Sequence, residues 1–135
     1  MLLTALAVGC GGFIGATLRY LCTVLTSKIA YLTVNAASFG FPIGILLINL
    51  VGCFLMGLLA MWLPVRFPGN TNLLAFVTTG CLGGFTTLST FGLDTWKLMV
   101  GGQYALGIAN VVLTLAVCFV GIIAGIAVAR TLQAS

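Results

Sequence analysis

The sequence predicts an all-α membrane protein, a single four-helix transmembrane domain over residues 1–135, and two observations predict it. The first is composition. Of 135 residues, 61% are hydrophobic and 4% are charged, against about 25% charged in soluble domains. Five basic and one acidic side chain cannot wet the surface of a soluble fold this long. The second is length of apolar run. Four stretches reach the roughly 20 residues that a helix needs to cross the hydrocarbon core.

The spans are expected at about 2–25, 41–63, 72–100 and 104–128. Met1 runs straight into LLTALAVG with no positive n-region, so a cleaved signal is not expected. The longest connection, TSKIAYLTVNAASFG, is mildly apolar and could hold an interfacial turn. Pro42 suits the first turn of the second helix, where its missing N–H costs nothing. Pro64, Pro68 and Gly69 are expected to end that helix and form the next loop. Trp62, Trp96, Tyr31 and Tyr104 fall near span ends, as an aromatic belt requires.

Charge excludes several classes. The net +4 comes from Arg19, Lys28, Arg66, Lys97 and Arg130, which are scattered, so no basic stripe tracks a nucleic acid. Cys10, Cys22, Cys53, Cys81 and Cys118 lie in apolar segments and act as small hydrophobes. With no His, no Glu and no nucleophile–base pair, the chain does not read as an enzyme. Arg66 and Arg130 belong to one side of the membrane, Lys28 and Lys97 to the other. This balance gives the positive-inside rule no preference. Insertion in both orientations would allow an antiparallel homodimer. The GxxxG pairs Gly11/Gly15 and Gly121/Gly125 permit close helix approach, within one subunit or between two.

Polar groups inside the spans are few, and such groups tend to face a bundle interior or a wet path. Arg19 can draw anions to a vestibule or snorkel to the interface. Asn49 sits mid-span, either as interhelical glue, the commoner use of such an amide, or as a pore donor. Asn110, Thr114 and Cys118 share a helix face through a four-residue step. They could hand an ion along, or Thr114 could bond back to its own helix. Asp94 is expected at the membrane edge, capping or paired with Lys97 or Arg19.

The most informative stretch is GCLGGFTTLSTFGLD, Gly80 to Asp94. Gly83 and Gly84 free the backbone, and Thr86, Thr87, Ser89 and Thr90 compete for its hydrogen bonds. The third span therefore reads as two half-helices around a break in mid-membrane. Such a break is tolerated only where protein buries it or it lines a wet cavity. It exposes carbonyls that can hold a cation. Phe85, Leu88 and Phe91, three residues apart, form an apolar face or offer positive ring edges to an anion.

This stretch resembles the GxxGGxTTFSTF signature of the CrcB/Fluc fluoride channels. GATLRY with Arg19 resembles an element of their first helix, and GILLINLVG with Asn49 one of their second. Asp94 and Asn110 fall at matching polar positions, and the likeness spans the whole chain. It implies a fluoride-selective passive channel in the plasma membrane (a bacterial inner membrane), multi-pass, exporting cytoplasmic fluoride and relieving its toxicity. It implies an antiparallel dual-topology homodimer in the lipid bilayer, with two pores along the subunit interface. A structural sodium ion at the dimer centre would be held by the carbonyls of Gly83 and Thr86. The fluoride pore would be lined by Asn49, Phe91, Ser89, Thr90, Asn110 and Thr114, and Arg19 would serve a vestibule or structural role. Two positions depart from the pattern. Leu88 replaces the first pore phenylalanine, so either Phe85 reaches toward the path or the path has one ring edge fewer. Ile45 replaces a hydroxyl residue.

Two other classes fit four spans. A small proton-coupled multidrug or cation exporter needs a central membrane carboxylate, whereas Asp94 stands late in the third span. A non-transporting membrane subunit would have no need of polar backbone at depth.

Overall fold

A computed structural model describes residues 1–33 and 40–134, with residues 29–33 described by backbone alone. The expected interfacial ring of Tyr31 and the turn of the first connection lie outside what is described. Among the described residues all regular structure is helical. The elements are α1 (Leu2–Thr33), α2 (Ile43–Arg66), α3 (Thr71–Ala75), a π-helical segment π1 (Phe76–Leu82), α4 (Gly83–Phe85), α5 (Leu88–Val100) and α6 (Tyr104–Ala134). Four stretches are long and apolar enough to cross a membrane: Leu2–Lys28, Ile43–Arg66, Thr71–Val100 and Tyr104–Ala134.

Helix ends depart from the expected bounds for a physical reason. α1 has 32 residues, about 48 Å at 1.5 Å per residue, which exceeds the roughly 30 Å core. Hydropathy falls near Lys28 and Arg130, but neither residue breaks a helix, so α1 and α6 continue beyond the apolar windows. Pro42 caps α2 from outside its first turn, with the Leu46 N–H donating to its carbonyl at 3.2 Å. Pro64 does not end α2. It sits inside the last turn, and the helix closes when the Phe67 N–H donates to the Leu63 carbonyl at 2.8 Å. Trp62 meets Phe67 edge-on, centroids 6.3 Å apart, while Trp96 and Tyr104 are both 65% exposed.

The chain runs up, down, up and down, so alternate segments lie parallel. α1 and the α3–π1–α4 run advance together. Thr4 Oγ1 donates to Asn72 Oδ1 at 2.7 Å, and further along a Cβ on Gly11 or Gly15 would strike the backbone of Phe76 or Cys81. α2 and α6 advance together in the same way. A Cβ on Gly57 would meet the Ile122 carbonyl, and one on Gly121 would come within 3.1 Å of the Leu50 carbonyl. Both GxxxG pairs are thus used inside one chain, where they let backbones touch. Gly84 serves the same end. A Cβ there would stand 2.8 Å from the Gly12 carbonyl. Gly83 keeps right-handed helical angles, φ −64° and ψ −35°. Gly84 is a contact residue and Gly83 an exposed helical one, and neither forms the bend.

Helical bonding stops two residues later. Thr86 has φ −77° and ψ 156°, and Thr87 has φ −149° and ψ 119°, both extended. α5 then starts afresh at Leu88. The extended pair faces α2 on one side and the Arg19 end of α1 on the other, and polar side chains gather there.

Candidate functional site

Two extended residues leave backbone groups without helical partners, and buried groups of that kind need substitutes. Asn49 supplies them. Its Nδ2 donates to the Thr87 carbonyl at 3.2 Å, and its Oδ1 accepts from the Thr87 N–H at 2.9 Å. Asn49 is 6% exposed and Thr87 is 5% exposed. Because a backbone N–H can only donate and a carbonyl can only accept, the orientation of the Asn49 amide is fixed. The amide thereby acts as a clasp between α2 and the extended pair. Gly52, one turn on, makes room for it, since a Cβ there would collide with the Thr86 methyl.

Thr87 also starts α5. Its Oγ1 accepts from the Thr90 N–H at 3.2 Å, the ordinary N-cap bond. The same hydroxyl donates to Thr90 Oγ1 at 3.1 Å and lies 3.2 Å from Ser89 Oγ. The Thr90 hydroxyl therefore receives a bond there and keeps its own hydrogen. The first turn of α5 carries the positive end of the helix dipole, which favours an anion. Ser89 and Leu88 are exposed, Leu88 to 77%, while Phe85 and Phe91 are half-buried.

The carbonyls of Gly83 and Thr86 are both deprived of their usual donors. In a continuing helix the Thr87 N–H would bond to Gly83, but it goes to Asn49. The Thr90 N–H would bond to Thr86, but it goes to the Thr87 hydroxyl. Carbonyls released from helical bonding are oxygen donors of the type that hold sodium in discontinuous transporter helices, so the Gly83 and Thr86 oxygens are of a kind that fits such an ion. The Thr86 carbonyl also accepts from Arg19 Nη1 at 3.3 Å. Arg19 thus reaches inward to the extended pair and does not turn out to the interface.

The second group lies between α5 and α6. Asn110 is 1% exposed and Thr114 is 5% exposed. Asn110 Nδ2 donates to Thr95 Oγ1 at 2.8 Å, and Thr95 Oγ1 donates to the Phe91 carbonyl at 2.8 Å. Thr114 Oγ1 donates to Asn110 Oδ1 at 3.4 Å. Cys118 continues the face and stays half-buried. Asp94 pairs with Lys97 at 3.5 Å, one turn further along α5 than the hydroxyl cluster.

The structure therefore gathers Asn49, Thr86, Ser89, Thr90 and Arg19 around the extended pair, and places Asn110 and Thr114 one step along α5. Two roles were not read from sequence. Thr87, read only as one of four hydroxyl residues competing for the backbone, is the hub of the first group, and a Thr just before an apolar helical run is an N-cap signal that could have shown it. Thr95 joins the second group only through the antiparallel register of α5 and α6, which no local pattern encodes.

A family model described as CrcB-like protein, Camphor Resistance (CrcB), matches residues 6–126. A protein of Ruminiclostridium cellulolyticum named fluoride-specific ion channel FluC is 44% identical over 131 residues, 97% of this chain and 95% of the relative. Proteins of the same name from Clostridium novyi and Paracoccus denitrificans are each 39% identical. They cover 96% and 97% of this chain, and 95% and 98% of their own lengths.

Proposed function

The chain belongs to the CrcB-like family, and we propose that it is a fluoride channel of the plasma membrane, the inner membrane in bacteria that have two. Fluoride trapped in the cytoplasm would leave passively, down its electrochemical gradient, relieving its toxicity. The observation that carries this reading is the extended Thr86–Thr87 pair, where donors from α1, α2 and α5 converge.

Fluoride is small and strongly hydrated. Moving an ion into a low-dielectric interior without compensation costs of order 20 kcal/mol in the idealised Born limit, so the path must replace water with donors. This chain offers the Thr90 hydroxyl hydrogen, the Ser89 hydroxyl, the start of α5, and the second N–H of Asn49 beyond the one given to Thr87. The ring edges of Phe85 and Phe91 carry partial positive charge. None of these bears a full charge, so an anion bound here can also leave, as conduction requires. Arg19 is the exception. Its guanidinium is held at the Thr86 carbonyl, where it draws anions toward the break without standing among the hydroxyls.

The break would lie at mid-membrane depth. One chain supplies only part of the wall, because Gly83, Leu88 and Ser89 face outward from it. A second copy in antiparallel orientation would close the path, in keeping with the balanced charges of the two ends. A two-fold arrangement would bring the Gly83 and Thr86 carbonyls of both copies together as an oxygen cage for sodium, which would supply fixed positive charge to hold the two breaks in register. An exporter of cations would need its carboxylate free to exchange protons, whereas Asp94, the single acidic residue, is engaged with Lys97.

The test is ion release from liposomes containing the purified protein, followed with a fluoride electrode and repeated with chloride. Rapid fluoride release with little chloride release is expected. Equal release of both ions, or release of neither, would overturn the proposal.

A further inference from the structure

The buried bonds between α5 and α6 run in one direction, and that direction is dictated by a single atom. The Phe91 carbonyl can only accept, so the one hydrogen of the Thr95 hydroxyl, 2.8 Å away, is committed to it. Thr95 Oγ1 can then only accept from Asn110, which forces the amide nitrogen of Asn110 toward Thr95 and its oxygen toward Thr114. Thr114 must in turn donate to that oxygen. Its bond, at 3.4 Å, is longer than the usual O–H···O range of about 2.5–3.0 Å and is the weakest link. Every hydrogen in the chain thus points from α6 toward Phe91. One remains over: the second amide hydrogen of Asn110, a side chain only 1% exposed, has no acceptor among the described residues.

We propose that Thr95 is a positioning residue of the fluoride path. Its hydroxyl sets the polarity of the chain from Thr114 through Asn110 to the Phe91 carbonyl, so that the leftover N–H of Asn110 is the donor this track offers to the anion. The inference rests on the fluoride-channel reading and narrows it. The amide of Asn110 is the acting group on α6, and the hydroxyl of Thr114 is a support. The same bond ties the backbone of Phe91 to α6, so the ring and the amide are placed together.

The experiment compares fluoride release by Thr95→Val and Thr95→Ser with the wild-type protein, each checked for elution volume and melting temperature. Val keeps the shape of Thr and removes the hydroxyl, freeing the Asn110 amide to turn. Thr95→Val should lose roughly tenfold or more in rate, about 1.4 kcal/mol, while Thr95→Ser should stay within about threefold of wild type. A Thr95→Ser protein as impaired as Thr95→Val would show that volume matters and the hydroxyl does not. That result overturns the proposal, as does a folded Thr95→Val protein that conducts normally. A second readout decides the matter if Thr95→Val does not fold or the wild-type protein passes no fluoride. In protein labelled with ¹⁵N at asparagine, added fluoride should shift one side-chain amide hydrogen of Asn110, the signal that disappears in Asn110→Leu. No shift with fluoride would refute the assignment. Absence of wild-type release with the shift present would instead count against the channel reading alone.

Discussion

Replacing Asn49 with Leu removes the clasp on Thr87 while keeping a side chain of similar volume. The perturbation is local and its size follows from the two bonds lost, at 3.2 and 2.9 Å. Thr87 is 5% exposed, so its N–H and carbonyl would be left buried without partners. An orphaned buried polar group costs about 1–3 kcal/mol, hence about 2–6 kcal/mol for the pair. Hydrogen bonds inside membrane proteins average nearer 0.6 kcal/mol, which gives a floor of about 1 kcal/mol if the extended residues find other partners. Even the floor matters, because relaxation would move the start of α5 and the free carbonyls together. Asn49→Leu is expected to abolish fluoride release from liposomes and to lower the melting temperature in detergent by several degrees. Wild-type release with an unchanged melting temperature in Asn49→Leu would refute the claim that this amide holds the extended pair.

Gly125→Ala should destabilise the protein by about 1–3 kcal/mol, the usual range for overpacking, because the new Cβ meets the Phe54 carbonyl. Gly12→Ala, whose Cβ meets nothing within 4 Å, should melt at or above the wild-type temperature. Arg19→Gln keeps a donor for the Thr86 carbonyl but removes the charge. Fluoride release should slow by several-fold, and the wild-type advantage should shrink as ionic strength rises, since salt screens steering. Leu88→Phe places a ring at an exposed position beside the hydroxyl cluster and should raise the release rate or leave it unchanged; a loss would show that Phe85 already fills the space. Replacing sodium by a bulky organic cation on both sides of the bilayer should reduce activity and thermal stability together. Unchanged behaviour would remove the proposed sodium from Gly83 and Thr86.

The sequence by itself determined the class of the molecule. Six charged residues among 135, with four long apolar runs, admit no soluble fold, and the two-against-two placement of Arg66, Arg130, Lys28 and Lys97 is legible without coordinates. It also marked Asn49, Asn110 and the hydroxyls near Thr90, because polar groups are scarce in an apolar chain and each one stands out. The sequence misplaced the origin of the extended pair. Gly83 and Gly84 looked like hinges, yet they are helical or packed against α1, and the departure falls at Thr86 and Thr87. Local preference cannot distinguish a glycine needed for its freedom from one needed for its small size. Only a neighbouring helix decides that. Tertiary structure likewise bonded both ends of the Asn49 amide to Thr87, turned Arg19 inward, and introduced Thr95 as the partner of Asn110. Each of these is a hydrogen bond between residues 15 to 67 positions apart in the chain. Periodicity reports which side of a helix a residue occupies. Which donor meets which acceptor depends on the register of two packed helices, and that register is set by all their contacts at once.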